Sequence, residues 1–402
     1  MVTMVDYAFT DEQEQFRSEI REFCESELLP LTSQLKHAEP MPAEIIHALA
    51  GKGLLGMMID TKYGGLGMDA FSTGIVAEEL ARIDPRCAIP VFFLVENAWG
   101  HILDKHGTEK AKEEILPHVV RGERFLGIAT TESTGGSDLG AMITTIERKD
   151  GSYRVNGGKM YISGVKEALR DGGGHITMAK QNPEKGTRGM NLFYLPINDI
   201  DGITPNFIEE MGRDGISWGG FAINDVEIPE HYLLGEEEKG FYIVHEGYEL
   251  ARGLIGMVCV GAATKAMENG MRAIKQRRAF GKPIGKYEAI QFKLADGHVK
   301  IESLRHLSQK ALWTYDQEML GNRERFDTSL AAAMAKSVAT QWSFEVINDV
   351  MQWQGAFGYS TLCPDQKALR GVRSFSLAEG TAEIMKLIIS RELLGKEFIA
   401  YK

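Results

Sequence analysis

The sequence predicts an α+β multidomain fold in which two helical regions flank a small β domain. Helical spacing of apolar residues dominates 1–125, β-rich segments separated by glycine turns occupy 126–240, and long amphipathic stretches fill 241–402. A chain of 402 residues also exceeds one ordinary hydrophobic core, so we expect it to divide into two or three domains. These three ranges are the predicted domains.

The N-terminal region opens with a helix start signal. Thr10-Asp11-Glu12-Gln13 matches a capping box, in which the Thr and Gln side chains satisfy unpaired backbone N–H groups. Apolar residues then recur at helical spacing as far as Leu28, and Pro30 ends the segment. Further helices are expected at Ala43 to Lys52, Phe71 to Ile83 and Glu109 to Val120. Residues 1–125 should therefore form an N-terminal helical domain.

The texture of the sequence changes near Arg124. Aromatic and β-branched residues become frequent, and Asn-Gly and Gly-Gly pairs separate them, which is typical of short strands joined by turns. The strand-like segments are 153–157, 160–163, 191–195 and 221–226. Because we see no helical pattern between them, we expect a small antiparallel β domain over 126–240.

Helical periodicity returns at Phe241 and persists to the end of the chain. The amphipathic stretches cover about 241–278, 287–320, 328–353 and 381–396, with a glycine-rich break from Gly355 to Gly358. Several long amphipathic helices in one region predict a C-terminal helical bundle.

Composition argues against several classes of function. The formal net charge of -11 opposes a nucleic-acid surface, which needs a concentrated basic footprint. Four cysteines without a CxxC pair suggest neither a disulfide framework nor a zinc site, so we expect no metal. The longest apolar stretch, Gly253 to Ala263, is about half of a membrane span, and the N-terminus lacks signal-peptide features. A soluble, cytoplasmic protein without membrane contact is expected.

One carboxylate near the C-terminus is a candidate base. Glu379 precedes Gly380-Thr381 in a turn of small residues, and a basic, amphipathic run follows at 385–391. A carboxylate at such a turn can be aimed into an apolar cavity, where desolvation makes it able to take a weakly acidic C–H proton. The same pattern alone is more often a helix cap, so this segment does not decide between the two.

Two segments of the middle region suit a planar, polar ligand. Thr130–Asp138 is a hydroxyl- and glycine-rich loop whose backbone N–H groups suit a heterocycle or a phosphate, unless it is a plain turn. Strand alternation in Gly158–Gly164 would set Tyr161 and Ser163 on one face and Ile162 on the other. An aromatic and a hydroxyl on one face suit a ring with a hydrogen-bonding nitrogen, although an amphipathic surface strand has the same pattern.

Two segments of the C-terminal region suit a phosphorylated cofactor. Arg277–Ile284 follows a helix with cations that can pair bidentately with phosphate or can simply complement the helix dipole. Gln352–Tyr359 contains small residues that let the backbone approach a ligand closely. In their order and spacing these four segments and Glu379 resemble the acyl-CoA dehydrogenase family of flavoproteins over nearly the whole chain.

The resemblance implies a barrel-like middle β domain, a C-terminal four-helix bundle and FAD as cofactor. Thr131 would contact the isoalloxazine, Tyr161 would pack on it and Ser163 would hydrogen-bond its N5 atom. Arg277 and Phe280 would reach the FAD of a neighbouring subunit in a homotetramer built as a dimer of dimers. The cofactor-binding residues so implied are Ile128, Thr130, Thr131, Ser137, Tyr161, Ser163, Arg277, Phe280, Gln352, Gln354, Gly355, Ala356, Thr381 and Glu383. Segment 168–174 is longer than the family pattern and has no assigned role.

The resemblance also implies the reaction. Glu379 would remove the α-proton of an acyl-CoA thioester while flavin N5 takes the β-hydride, and an electron-transferring flavoprotein would accept the electrons. Relatives that place their base elsewhere use the position of Ala251, which cannot serve here. The substrate-binding residues so implied are Ser137, Tyr248, Glu249, Arg252 and Gly380.

Alternatives remain within the same fold. Glu96 interrupts the apolar segment 91–99 and could serve as a second acid toward an alicyclic, cyclohexane- or cyclohexene-carboxyl type of acyl group, or be a structural carboxylate. An enoyl-CoA reductase and a non-enzymatic flavoprotein are the other candidates. An acyl-CoA oxidase would differ in turning over with air alone, and such oxidases are usually longer.

Overall fold

The computed structural model describes residues 9–400, apart from the side chain of Lys396. The first helix begins where the sequence predicts. The Gln13 N–H donates to Thr10 Oγ1 at 3.2 Å, and the Thr10 N–H donates to the Gln13 side chain at 3.1 Å, so the capping box is formed. The N-terminal helices are α1 Asp11–Phe23, α2 Leu29–Leu31, α3 Ala43–Gly51, α4 Ala70–Ile83, α5 Ala88–His106 and α6 Glu109–Val120.

Helix α5 lies outside the expected helices. It is buried over nearly its whole length, from Ala88 to Leu103. A helix surrounded by protein is apolar on all sides and therefore lacks the amphipathic pattern by which surface helices are detected. This buried helix brings residues 91–95 to the centre of the molecule.

The middle region is a mixed sheet rather than a purely antiparallel one. Its strands are β1 Phe125–Ala129, β2 Thr145–Arg148, β3 Ser152–Ser163, β4 Gly173–Lys180, β5 Met190–Pro196, β6 Ile203–Phe207, β7 Trp218–Pro229 and β8 Leu233–Leu234. They are ordered β6-β7-β3-β2-β4-β5-β8, with β1 paired to β4. The β1–β4 and β2–β4 pairings are parallel, whereas the other pairings in this sheet are antiparallel.

A short helix, α7 Val165–Asp171, accounts for most of the long segment 168–174. It connects the end of β3 to the start of β4, two strands that are separated in the sheet by β2. Its Glu167 carboxylate is fully buried and accepts hydrogen bonds from the Met41 N–H at 2.9 Å and the Ser217 N–H at 3.0 Å. The helix therefore ties the sheet to the N-terminal region.

The C-terminal region consists of long packed helices. They are α8 Gly240–Gln276, α9 Glu288–Met319, α10 Arg325–Trp353, α11 Pro364–Ser374 and α12 Ala382–Leu394, and the pair β9 Arg278–Ala279 and β10 Lys282–Pro283 follows α8. The expected four stretches coincide with α8, α9, α10 and α12 to within a few residues. The expected break is the turn Gly355–Tyr359, and α11 is an additional helix.

Helix α8 is the core of this bundle. An 18-residue window of it is long and apolar enough to cross a membrane, but 89% of that window is buried within the protein, as in many core helices. Glycines allow its neighbours to approach, because a Cβ at Gly256 would lie 2.1 Å from Ser308 Oγ and one at Gly261 would lie 2.2 Å from the Glu78 carbonyl. Close packing of α4 and α9 on α8 therefore depends on the missing side chains.

Candidate active site

A cavity of about 760 Å³ lies where the three regions meet, and we call it the central cavity. This volume is within the usual range for ligand pockets. Its wall combines apolar side chains of α5, the edge of β1 and β3, one face of α8 and the turn between α11 and α12. Residues of the wall include Val91, Leu94, Val95, Ile128, Thr130, Thr131, Ser137, Tyr161, Ser163, Arg213, Trp218, His245, Tyr248, Arg252, Glu379, Gly380 and Thr381.

Glu379 stands in this wall in an unusual backbone conformation. Its φ of 55° and that of Gly380, 91°, both lie in the left-handed region, which costs a non-glycine residue about 1 kcal/mol or more. Two buried cations hold the turn. Arg252 Nε donates to the Glu379 carbonyl at 3.0 Å, and Lys336 Nζ donates to the Gly380 carbonyl.

The Glu379 carboxylate lines the cavity with one oxygen unpaired. Its Oε2 is buried without a hydrogen-bond partner among the described protein atoms. Burial raises its pKa to about 7, and the charges of Arg252 and Lys336 oppose that rise. The group is therefore partly ionised near neutral pH and is a stronger base than an exposed carboxylate.

One face of α8 supplies the next part of the wall. Tyr248 and Arg252 are one turn apart, and the guanidinium lies 5.7 Å from the centre of the tyrosine ring. The Tyr248 hydroxyl hydrogen-bonds with Thr130 Oγ1 at 2.6 Å, and burial raises the pKa of Tyr248 well above its usual range. The Tyr248 and Thr130 hydroxyls therefore line the cavity already hydrogen-bonded to each other.

An aromatic platform forms another part of the wall, at a β-bulge. The pairing of β3 with β7 shifts register between Met160 and Ile162, and Tyr161 has a φ of 63°. The prediction of simple alternation is therefore wrong here, because a bulge adds one residue and turns its side chain. Tyr161 is 51% exposed and its ring centre lies 5.1 Å from that of Trp218. Tyr161, Ile162 and Ser163 all line the cavity.

The expected cofactor and substrate residues divide into two groups. The central cavity brings together Ile128, Thr130, Thr131, Ser137, Tyr161, Ser163, Tyr248, Arg252, Glu379, Gly380 and Thr381. The remaining ones lie outside its wall: Arg277, Phe280, Gln352, Gln354, Gly355, Ala356, Glu249 and Glu383. Glu249 turns toward α10, where it hydrogen-bonds with Ser329 and lies 3.3 Å from Arg325.

The two segments expected to hold the phosphates and adenosine lie against each other. Arg277 Nη1 donates to the Trp353 carbonyl at 2.6 Å, and a Cβ on Gly355 would lie 2.8 Å from the same guanidinium. Gly355 therefore provides a close backbone approach with a cation beside it. Phe280 is 98% exposed nearby in sequence, and the Gln354 amide donates to Asp365 at 2.5 Å.

Glu96 is turned away from the central cavity. Leu94 and Val95 line the wall, but Glu96 does not. Its Oε1 accepts a hydrogen bond from the Leu126 N–H at 3.1 Å, its Oε2 has no partner among the described atoms, and burial raises its pKa well above the ordinary value. This geometry favours the structural alternative over contact with an acyl group.

The sequence did not single out Arg213, Trp218 or Lys336. Arg213 lies in an irregular loop, where no periodicity marks a residue as buried. Lys336 offered a usable signal, because it is a lone cation following the alanine-rich run 331–335 on a buried helix face. A buried lysine that is not neutralised by a carboxylate at contact distance usually has a specific role or a lowered pKa.

Comparison with known proteins agrees with this architecture. Models of the acyl-CoA dehydrogenase N-terminal, middle and C-terminal domains match residues 10–123, 127–226 and 238–394. An acyl-CoA dehydrogenase of Bacillus subtilis (strain 168) is 31% identical over 395 residues, which cover 96% of this chain and 99% of that protein. A glutaryl-coenzyme A dehydrogenase solved with glutaryl-CoA superposes with a TM-score of 0.89 at 28% identity, covering 97% of each chain.

A second relative is named for a different activity. The 3-(aryl)acrylate reductase of Clostridium sporogenes (strain ATCC 15579) is 30% identical over 387 residues, which cover 96% of this chain and 99% of that protein. With this fold, the family models and relatives define the chain as a flavin-dependent oxidoreductase of CH–CH bonds. The chain belongs to the acyl-CoA dehydrogenase family.

As a member of this family, the chain uses FAD as its cofactor. The residues present fit that group. The half-exposed Tyr161 beside Trp218 offers a flat aromatic surface, Ser163 and Thr131 add hydroxyls at its edge, and Gly355 with Arg277 forms a backbone cradle with a cation.

Proposed function

We propose that the chain catalyses FAD-dependent α,β-dehydrogenation of an acyl-CoA thioester with Glu379 as the base. The observation on which this rests is the unpartnered Glu379 carboxylate oxygen in the wall of the central cavity, with its pKa raised to about 7. A base poised near the working pH transfers protons most effectively.

Two features of the site support that reaction, a desolvated carboxylate and nearby positive charge. The α-proton of a thioester is weakly acidic, so its removal needs a desolvated base and donors that stabilise the developing enolate. The cations Arg252 and Lys336 stand behind the 379–380 turn and add positive charge to this side of the cavity. Bound FAD supplies the acceptor for the hydride that leaves the β-carbon.

The test is to mix the FAD-loaded enzyme anaerobically with a panel of straight-chain, branched and alicyclic acyl-CoA thioesters. The measured quantity is the rate at which the flavin absorbance bleaches. Glu379→Gln should slow bleaching by roughly 10²–10⁴-fold, the usual contribution of a general base. Glu397→Gln, at an exposed position after α12, is the matched control and should bleach at the wild-type rate. Wild-type bleaching by Glu379→Gln would refute the assignment. Absence of bleaching by every thioester would favour a non-enzymatic flavoprotein.

Reduction of an enoyl-CoA is a second candidate function. It is favoured by two relatives at 30% identity that are named as reductases, the 3-(aryl)acrylate reductase and the acryloyl-CoA reductase (NADH) of Anaerotignum propionicum. In the reductive direction a protonated Glu379 would donate a proton to the α-carbon. Its pKa of about 7 suits both the oxidative and the reductive reaction. Enoyl-CoA should then reoxidise chemically reduced enzyme faster than the matching acyl-CoA reduces the oxidised enzyme.

We further propose an electron-transferring flavoprotein as redox partner and a homotetramer, a dimer of dimers, as the assembly. A relative at 30% identity is named as the CarC subunit of a caffeyl-CoA reductase–Etf complex of Acetobacterium woodii. The Arg277 and Gly355 group lies outside the central cavity wall, and Phe280 is almost fully exposed, as expected if this surface completes a neighbour's site. Sedimentation tests the assembly. Turnover with air alone and peroxide release would instead indicate an oxidase.

A further inference from the structure

A buried arginine holds the hydroxyl of Ser163 in the central cavity. Arg213 is 7% exposed and has a φ of 57°, which a non-glycine residue adopts only when its surroundings enforce it. Its Nη1 donates to Ser163 Oγ at 3.2 Å. Its Nε and Nη2 donate to one Glu210 oxygen, Oε2, at 2.8 Å and 2.5 Å.

The chemistry of the two groups fixes the direction of this hydrogen bond. A guanidinium has only donors, whereas a serine hydroxyl has one proton and two lone pairs. Ser163 Oγ must therefore accept from Arg213, and its own proton must point elsewhere. Among the described protein atoms that hydroxyl donates to no acceptor, and Ser163 lines the central cavity beside Tyr161.

Glu210 stabilises the buried charge of Arg213 and leaves the hydrogen bond from Arg213 to Ser163 intact. A buried guanidinium needs a nearby opposite charge, and Glu210 provides one beside the Nε and Nη2 atoms of Arg213. The pair is close to neutral as a whole, while Nη1 remains available for Ser163. The contact therefore acts mainly through hydrogen-bond geometry, and a donor at one lone pair strengthens the hydroxyl as a donor in turn.

We propose that Arg213 is a positioning residue that fixes the Ser163 hydroxyl as a hydrogen-bond donor directed at the FAD ring in the central cavity. This inference rests on the proposed function, which puts the flavin beside Tyr161 and Ser163. It assigns to Arg213 no contact with substrate. It predicts that changes at Arg213 act only through Ser163.

A double-mutant cycle on the FAD-loaded enzyme tests this dependence. Arg213→Met should slow flavin reduction at saturating acyl-CoA roughly tenfold, the effect of one lost hydrogen bond in a desolvated site, and leave the substrate Kd unchanged. Ser163→Ala should have a similar effect, and the double variant should be no slower than Ser163→Ala alone. Arg213→Lys keeps a donor-only cation and should recover most of the rate.

The absorption spectrum of the oxidised flavin gives a readout that needs no substrate. Arg213→Met and Ser163→Ala should shift its long-wavelength band in the same way, and their shifts should not add. The proposal would be overturned by additive shifts, by additive losses of rate, or by an Arg213→Met variant whose rate and spectrum match those of the wild type. If Arg213→Met does not retain FAD, Arg213→Lys and Ser163→Ala decide by the same criteria. Failure of the proposed function would appear separately, as a wild-type flavin that no thioester bleaches.

Discussion

Replacing Lys336 with methionine should move the pH dependence of flavin reduction upward. Lys336 is buried at 1% exposure, donates to the Gly380 carbonyl and has no carboxylate within salt-bridge distance in the described chain. Its charge lowers the pKa of Glu379, opposing the rise caused by burial. Loss of that cation disfavours the carboxylate, so the pKa of Glu379 should rise above about 7.

The expected size follows from the ionised fraction. If the pKa rises by about one unit, or about 1.4 kcal/mol, the ionised fraction of Glu379 at pH 7 falls from about one half to about one tenth. The reduction rate at pH 7 should then fall about fivefold, since only the carboxylate accepts the proton. At about pH 9 the carboxylate is ionised in both proteins, and the two rates should converge.

Lys336 itself titrates in this range. Burial lowers its pKa to about 8, with Arg252 contributing in the same direction and Glu379 opposing. The two groups therefore titrate as a coupled pair in the wild-type protein, and the observed midpoints belong to the pair. The cation is partly lost above pH 8, which further narrows the difference between wild type and Lys336→Met at high pH.

The assay is anaerobic stopped-flow reduction at saturating acyl-CoA across the pH range, with Lys336→Arg as the charge-preserving control. Lys336→Arg should keep the wild-type midpoint. An unchanged or lowered midpoint in Lys336→Met would refute the electrostatic reasoning. A uniform loss of rate at every pH would mean that Lys336 acts by holding the Gly380 carbonyl and not through its charge.

Three further outcomes are expected. Glu132→Gln should lower the free energy of unfolding by roughly 3–5 kcal/mol, seen as a lower Tm, because it leaves the buried Lys159 charge, now 2.9 Å from Glu132, without a counter-charge. Adding Lys159→Met should restore much of that stability. Gly261→Ala should lower the Tm, since its Cβ would meet a backbone carbonyl of α4 at 2.2 Å, whereas Gly51→Ala, with nothing within 4 Å, should be neutral or stabilising. Glu96→Gln should leave bleaching by straight-chain and cyclohexenyl thioesters equally unaffected, and a selective loss on the cyclic substrate would restore its role as a second acid.

Features with local causes could be predicted from the sequence. The capping box at Thr10 and Gln13 is set by residues three apart, and it forms as expected. The four long C-terminal stretches carry their own helical periodicity, so α8, α9, α10 and α12 were located closely. The Glu379 turn gave only a weak local signal, and Glu379 became the candidate base through its order and spacing relative to the four other segments.

Features set by distant partners could not be predicted in this way. The parallel pairing of β1 with β4 brings together strands that are separated in sequence by β2, β3 and α7, and the bulge at Tyr161 depends on the register between β3 and β7. Helix α5 lacks a polar face because other elements surround it. Arg213 gives no local signal, since it lies in an irregular loop and its contact with Ser163 joins residues far apart in sequence.

The position of Glu379, the proposed base, depends on the helical bundle as well as on its own turn. Glu379 is held by Arg252 from α8 and by Lys336 from α10, acting on two successive carbonyls in left-handed conformations. A shift of either helix would move one of these donors relative to the turn. The close packing of α8 at Gly256 and Gly261 therefore matters for chemistry as well as for stability, although neither glycine lines the cavity. The same argument explains why a short turn with a strained glutamate persists: the strain is offset by two buried hydrogen bonds to charged donors, which are stronger than neutral ones.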